Sequence, residues 1–157
     1  METKKWINEE ITYINCPNSD ARCLVVSYGN GCRIIKGSFD NWVSADSLLV
    51  SNEVYSGAYI QNELWLATDQ GIQQFTFLNN GLKSQVLDQN GGLSDIITTN
   101  IEVTGQNLWI ANFEKGVEEI IQNRTLKFYP LPNPSKIHQI KYWKNILFVA
   151  TEAGLLI

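Results

Sequence analysis

The chain has 157 residues, 44% of them hydrophobic and 11% aromatic, which suits a single domain or a short array of repeats over one continuous core and excludes disorder. Twelve basic against sixteen acidic residues give a formal charge of -4, so no basic stripe is available for phosphates and nucleic acid is excluded as the expected partner. No run approaches the roughly 20 apolar residues that span a bilayer, and no signal-type apolar segment follows Lys4-Lys5; the sequence as written predicts a cytoplasmic protein with no membrane partner, or an extracytoplasmic one if trimmed from an exported chain.

In chain order the first predicted strand is Lys4-Lys5-Trp6-Ile7. An inner strand follows at Ile11 to Asn15, then Leu24-Val25-Val26-Ser27, a polar turn, Gly31, Cys32-Arg33-Ile34-Ile35 and an outer strand around Phe39 to Val43. The same order returns from Ser56 to Ile60 through Leu64-Trp65-Leu66-Ala67, Gly71 and Ile72-Gln73-Gln74-Phe75 to Ser84 to Leu87. A third copy runs from Asn100 to Thr104 through Leu108-Trp109-Ile110-Ala111, Gly116 and Val117-Glu118-Glu119-Ile120 to Leu126 to Tyr129. The fourth has Ile137 to Tyr142, Leu147-Phe148-Val149-Ala150, Gly154 and Leu155-Leu156-Ile157, without an outer strand.

Gly31, Gly71, Gly116 and Gly154 are 40, 45 and 38 residues apart, the period of propeller blades. The run before each glycine is apolar at nearly every position, as a strand must be when sheets cover both its faces. The run after it alternates more and belongs nearer the rim. Trp6 precedes Leu24 by 18 residues, as Tyr129 precedes Leu147, so the first strand fills an outer-strand slot that the last repeat lacks. These observations predict one all-β domain over 1–157, a β-propeller of four four-stranded antiparallel blades, approximately 11–44, 54–87, 96–129 and 136–157 plus 3–8. The N-terminal strand joins the C-terminal blade to close the ring and remove open sheet edges. The competing architecture is a generic antiparallel β-sandwich.

His138 is the only histidine, which rules out a multi-histidine metal site. A Ser-His-Asp arrangement is conceivable, but His138 is expected in an inner strand. Cys16 and Cys23 flank a polar loop and could face one another across a hairpin; they and Cys32 are expected as buried, inert thiols. Asp88-Gln89-Asn90-Gly91-Gly92 lacks the downstream Glu of a calcium loop and reads as a turn. Trp65 and Trp109, with Val25 and Phe148 at the corresponding places, read as packing between blades. No catalytic set, metal site or cofactor is predicted.

Propeller ligands sit over the central channel, on the face carrying the turns between second and third strands and the loops from outer strand to next inner strand. The residues expected there as ligand-binding are Tyr28, Asn30, Asp69, Gln70, Asn112, Glu114, Lys115 and Glu152, with Asp46, Asp88 and Asp95 nearby. Their acidic bias suits a cation or a basic partner.

The repeat resembles the two-component regulator propeller family, whose blades read as a Gly-Leu-Ser/Pro turn, an inner strand, Leu-Trp-Ile-Gly-Thr, a turn and Gly-Leu. Gly92-Leu93-Ser94-Asp95 through Leu108-Trp109-Ile110-Ala111 to Gly116-Val117 is the nearest copy, and Leu64 to Ile72 and Leu147 to Leu155 match its second half. The resemblance implies a ligand-sensing or protein-contacting module, since family members usually form extracytoplasmic input portions of sensor kinases. The expected function is therefore a non-catalytic binding module for a protein or small ligand. The alternatives are a propeller-type lyase or hydrolase using channel carboxylates or His138, and half of an eight-bladed propeller formed by a homodimer rather than a monomer.

Overall fold

The computed structural model describes residues 10–16, 22–27, 29–36, 42–44, 48–61, 63–78, 81–121 and 125–157. Among them are four antiparallel sheets and no α-helix. The first sheet holds β1 (Ile11–Asn15), β2 (Arg22–Ser27), β3 (Gly31–Lys36) and β4 (Trp42–Ser44), and the second β5 (Val54–Ile60), β6 (Glu63–Thr68), β7 (Gly71–Leu78) and β8 (Gly81–Leu87). The third holds β9 (Thr98–Thr104), β10 (Asn107–Asn112), β11 (Gly116–Ile121) and β12 (Thr125–Pro130), and the last β13 (Ile137–Trp143), β14 (Ile146–Thr151) and β15 (Gly154–Leu156). Each is a simple meander in which sequence neighbours pair. The repeat predicted from the glycine spacing is thus the repeat of the fold.

The sheets pack in chain order through their inner strands, β5 against β1 and β2, β9 against β5 and β6, β13 against β9 and β10. Leu24, Val26 and Ile34 meet Leu64, Leu66 and Phe75 at the first junction. Trp65, Ala67 and Ile72 meet Leu108, Ile110 and Ile120 at the second, and Ala111 and Val117 meet Ile137, Ile140 and Val149 at the third. Both faces of β6 and β10 are covered in this way, which is why their central residues, Leu64 to Ala67 and Leu108 to Ala111, are all apolar while polar residues stand only at the strand ends. Each fully buried Leu or Ile contributes about 1.5–3 kcal/mol.

Gly71 shows why the repeat keeps a glycine at the start of its third strand. Its φ is +100°, and a Cβ there would run into the carbonyl oxygen of Leu87 as β8 passes alongside. Gly116 stands in the same relation to the carbonyl of Tyr129. Gly154, at φ +128°, has nothing within 4 Å of that position among the described residues.

Three sequence expectations need correction or placement. The first repeat aligns one residue differently: Ser27, Thr68, Asn112 and Thr151 are equivalent, because each pairs with the first residue of its inner strand. Leu24 rather than Val25 therefore occupies the Trp65 and Trp109 position. Three residues separate Ser27 from Gly31, as they do Asn112 from Gly116, where only two separate Thr68 from Gly71, and the first repeat has no Trp to mark its place as Trp109 marks the third.

Cys16 and Cys23 are not inert thiols but a disulfide, with Cα atoms 4.3 Å apart. Asn15 pairs with Leu24, so the two cysteines extend the same antiparallel ladder by one rung and face each other. Cys32 is buried as expected. The closing strand predicted over 3–8 lies outside the described residues, and among the described residues β13 makes no packing against β1 comparable to that joining the other inner strands.

Candidate functional site

The register of the inner strands departs from regular pairing at one place in each sheet, and it is the same place. Ile11 pairs with Ser27 and Tyr13 with Val26, leaving Thr12 as a bulged residue. Tyr55, Thr99 and His138 are bulged in the same way between Val54 and Ser56, Thr98 and Asn100, and Ile137 and Gln139. A bulge re-aims its side chain out of the ladder. All four bulged residues line one cavity of about 730 Å3, so the four inner strands converge on a common space.

Around this ring the wall is mixed. Tyr13 and Phe113 add aromatic surface, Asn100 and Gln139 add amides, and Lys136 brings an ammonium group that lies 5.3 Å from the centroid of the Phe113 ring. Among the described residues that line it there is no carboxylate. A smaller cavity of about 220 Å3 is lined by Tyr13 and by residues farther along the inner strands, including Glu102 and Lys141, which form an ion pair at 2.7 Å.

Backbone-directed bonds between sheets hold the inner strands in place. Ser56 Oγ accepts the N–H of Ile101 at 2.9 Å, and Asn100 Oδ1 accepts the N–H of Ile140 at 3.2 Å. Ser56 and Asn100 are equivalent residues, each immediately after a bulge, and Ile101 and Ile140 are equivalent donors one sheet on. Inner-edge N–H groups that would otherwise be orphaned are satisfied by the neighbouring blade.

Two of the loops from outer to inner strand are pinned by the second residue of β7 and β11 counted after the glycine. Gln73, buried, accepts from Val50 N–H at 2.9 Å and donates to Leu48 O at 2.6 Å. Glu118, also buried, accepts from Ser94 N–H at 2.8 Å, Ser94 Oγ at 2.6 Å and Asn112 Nδ2 at 2.7 Å. A buried carboxylate accepting three donors keeps its charge compensated. The alternating pattern that suggested rim strands at Gln73 and Glu118 therefore reports loop anchoring, not contact with water.

The turns and connecting loops predicted to share one face do so. Gly31 N–H bonds to Asn52 O, Leu131 N–H to Lys115 O, and Glu152 N–H to Lys136 O, each joining a second-to-third-strand turn to an outer-to-inner loop. Of the eight expected ligand-binding residues, Tyr28 lies outside the described residues. Asn30, Gln70, Glu114, Lys115 and Glu152 are exposed on this face, and Asp69 is half-buried beside Gln70. Asn112 is fully buried, its amide donating to Ser94 Oγ and Glu118. Lys115 donates to Ser94 O at 2.7 Å and lies 3.8 Å from Asp95.

Of the seven that are described, none lines the large cavity. The residues that do were missed, His138 apart, because a bulge shifts a side chain by one position and strand periodicity assigns it to the wrong face. The available signal was positional: Ile11-Thr12, Val54-Tyr55, Thr98-Thr99 and Ile137-His138 share a buried or β-branched first residue followed by one that varies freely.

Four meander sheets packed through their inner strands around a common space define the β-propeller class. No family model and no curated protein matches the chain. Its fold is similar to crystal structures of bacterial extracellular domains. One is the extracellular domain of BT4673 from B. thetaiotaomicron, described as a one-component system, with a TM-score of 0.75 and 16% identity over 94% of this chain and 21% of that one. Another is the extracellular domain of BT3049, described as a hybrid two-component system from the same organism, with a TM-score of 0.72 and 17% identity over 94% and 22%. The chain thus spans about a fifth of the length of these domains. The computationally designed Ika4 protein is matched at a TM-score of 0.67 and 11% identity over 96% of this chain and 91% of its own.

Proposed function

We infer that the protein is a non-catalytic binding module that takes a small polar ligand into the cavity ringed by Thr12, Tyr55, Thr99 and His138. The carrying observation is that four bulges at one repeat position deliver four side chains to one space. Aromatic faces from Tyr13, Tyr55 and Phe113 and hydrogen-bonding groups from Thr99, Asn100 and Gln139 are the mixture that orients a polar ligand. Lys136 supplies positive charge that no carboxylate among the described lining residues opposes, which favours a ligand with an anionic group. The exposed Asn30, Gln70, Glu114, Lys115 and Glu152, with the half-buried Asp69, give further contacts at the rim.

The role is sensing. The structural neighbours are described as extracellular parts of one- and two-component systems, and the module would supply the ligand-responsive surface of such an input region. An extracytoplasmic location fits the Cys16–Cys23 disulfide, since such bonds persist in oxidising compartments. The test is a thermal-shift screen with citrate, inorganic phosphate and maltose as anionic and neutral probes. Binding to the folded state raises the melting temperature in proportion to ligand excess over Kd. An anion-dependent rise that Tyr55→Ala abolishes supports the reading; turnover of a probe, or binding indifferent to Tyr55→Ala, contradicts it.

A further inference from the structure

The second and third repeats carry a tryptophan at the same place, and what packs beside it differs. Trp65 stands opposite Gln74 and Gln74 opposite Gln85, as Trp109 stands opposite Glu119 and Glu119 opposite Lys127. Two residues farther along the outer strands come Leu87, paired with Ile72, and Tyr129, paired with Val117. In the third repeat the space beside the tryptophan is filled. The Tyr129 ring lies 5.5 Å from the Trp109 ring, its hydroxyl donates to Glu119 Oε2 at 3.1 Å, and Lys127 Nζ sits 4.7 Å from its centroid. Tyr142 of the fourth sheet adds a second ring 6.1 Å from Trp109.

The second repeat has no ring at either place. Leu87 replaces Tyr129, and Val103, opposite Leu108 as Tyr142 is opposite Leu147, replaces Tyr142. A cavity of about 150 Å3 is left between the second and third sheets, lined by Trp65, Gln74, Gln85, Val86, Leu87 and Ile120. A space of that volume takes up one benzene-sized ring. It shares no lining residue with the large central cavity, and it opens along β8, where Gln85 and Leu87 are half-buried.

The wall selects what such a ring carries. The Trp65 N–H is taken by Glu63 Oε2 at 3.2 Å, so the indole joins Leu87 and Ile120 as apolar surface. Gln74 is 2% exposed and stands where Glu119 accepts the Tyr129 hydroxyl. Its Oε1 accepts from Gln85 Nε2, and an amide oxygen has a second lone pair for a further donor. Gln85 stands where the third repeat has Lys127, and the described lining residues include no charged group, so a charged ring would be desolvated without a counterion. We propose that this cavity binds an uncharged phenolic ring, seated beside Trp65 with its hydroxyl donating to Gln74, as Tyr129 is seated beside Trp109 with its hydroxyl donating to Glu119. Phenols, with a pKa of about 10, are neutral at pH 7.

Calorimetric titration of the full chain with p-cresol tests this, and the expected result is saturable binding with a Kd of about 0.1–1 mM, ordinary for so small a ligand. Leu87→Tyr supplies the ring from the chain itself and should abolish the heat of binding while raising the melting temperature. The methyl ether of p-cresol, which has no hydroxyl to donate, should bind about tenfold more weakly. N-Acetyl-tyrosinamide identifies the source of the ring: binding of it alongside p-cresol makes a peptide tyrosine the ligand, and binding of p-cresol alone a free phenol, each in support of the site. A titration without saturable heat overturns the proposal. So does a Leu87→Tyr chain that still binds p-cresol, which places the phenol elsewhere, or one that melts below the wild type, which shows that the space admits no ring. Equal affinity for p-cresol and its ether overturns the bond to Gln74.

Discussion

Asn100 of the third sheet accepts the backbone N–H of Ile140 in the fourth through its side-chain oxygen at 3.2 Å, and Ser56 makes the same bond to Ile101 one sheet earlier at 2.9 Å. Repeats that stack only with neighbours owe their geometry to such nearest-neighbour terms. The positions of β9 and β13 are tied in this way to the blade before each.

Removing the acceptor should therefore destabilise the whole array. Ser56→Ala leaves the buried Ile101 N–H without a partner, at a cost of about 1–3 kcal/mol. Urea unfolding should show a lower midpoint with an unchanged m-value. An unchanged midpoint would mean that this N–H finds water.

Glu118 and Gln73 occupy the same repeat position and anchor loops by different chemistry, so their exchange is informative. Glu118→Gln retains an acceptor for Ser94 and Asn112 and should cost less than about 1.5 kcal/mol, whereas Glu118→Ala abandons three donors and should cost about 2–4 kcal/mol. Chemical denaturation of both variants checks the order. Equal costs would show that the carboxylate is replaceable by water.

The glycine positions probe closure at β15. Gly71→Ala forces a Cβ against the Leu87 carbonyl in an unfavourable φ region and should destabilise by more than about 1 kcal/mol. Gly154→Ala meets no such neighbour among the described residues and should be milder. If thermal unfolding finds the two equally damaging, an outer strand lies beside Gly154, as the N-terminal segment would in the arrangement predicted over 3–8.

The disulfide makes a chemical prediction. The chain has three cysteines, and Cys32 alone remains outside the Cys16–Cys23 bond. Denatured, non-reduced protein should titrate one thiol, and reduced protein three. The closed loop spans a sequence separation of 7, for which loop-closure entropy gives about 2–2.5 kcal/mol of stability lost on reduction. Three thiols without reductant would contradict the bond.

Four repeats with their glycine turns were legible in the sequence because burial on two faces forces an unbroken apolar strand and the close pass at Gly71 forces a glycine. The first repeat was displaced by one residue because its turn is one residue longer than that before Gly71 and, unlike the equally long turn of the third repeat, it follows a strand with no Trp to fix the register. Rim residues such as Glu152 were legible because turns select them; the cavity wall was not, since a bulge at Tyr55 or Thr99 breaks the alternation from which a facing direction is read. Pairing of Cys16 with Cys23 needed the register of Asn15 and Leu24, a relation between two strands that neither strand states alone.

The central claim is that bulged residues on the inner strands form the binding wall. Calorimetric titration of a probe that binds the wild-type chain, repeated with Thr99→Trp and with Glu152→Ala, tests it most directly. Trp at position 99 should fill the cavity and abolish the heat of binding while Glu152→Ala changes affinity by less than about threefold, a rim contact being worth less than roughly 1 kcal/mol. Undiminished binding by Thr99→Trp, together with loss in Glu152→Ala, would contradict the account and return the site to the rim.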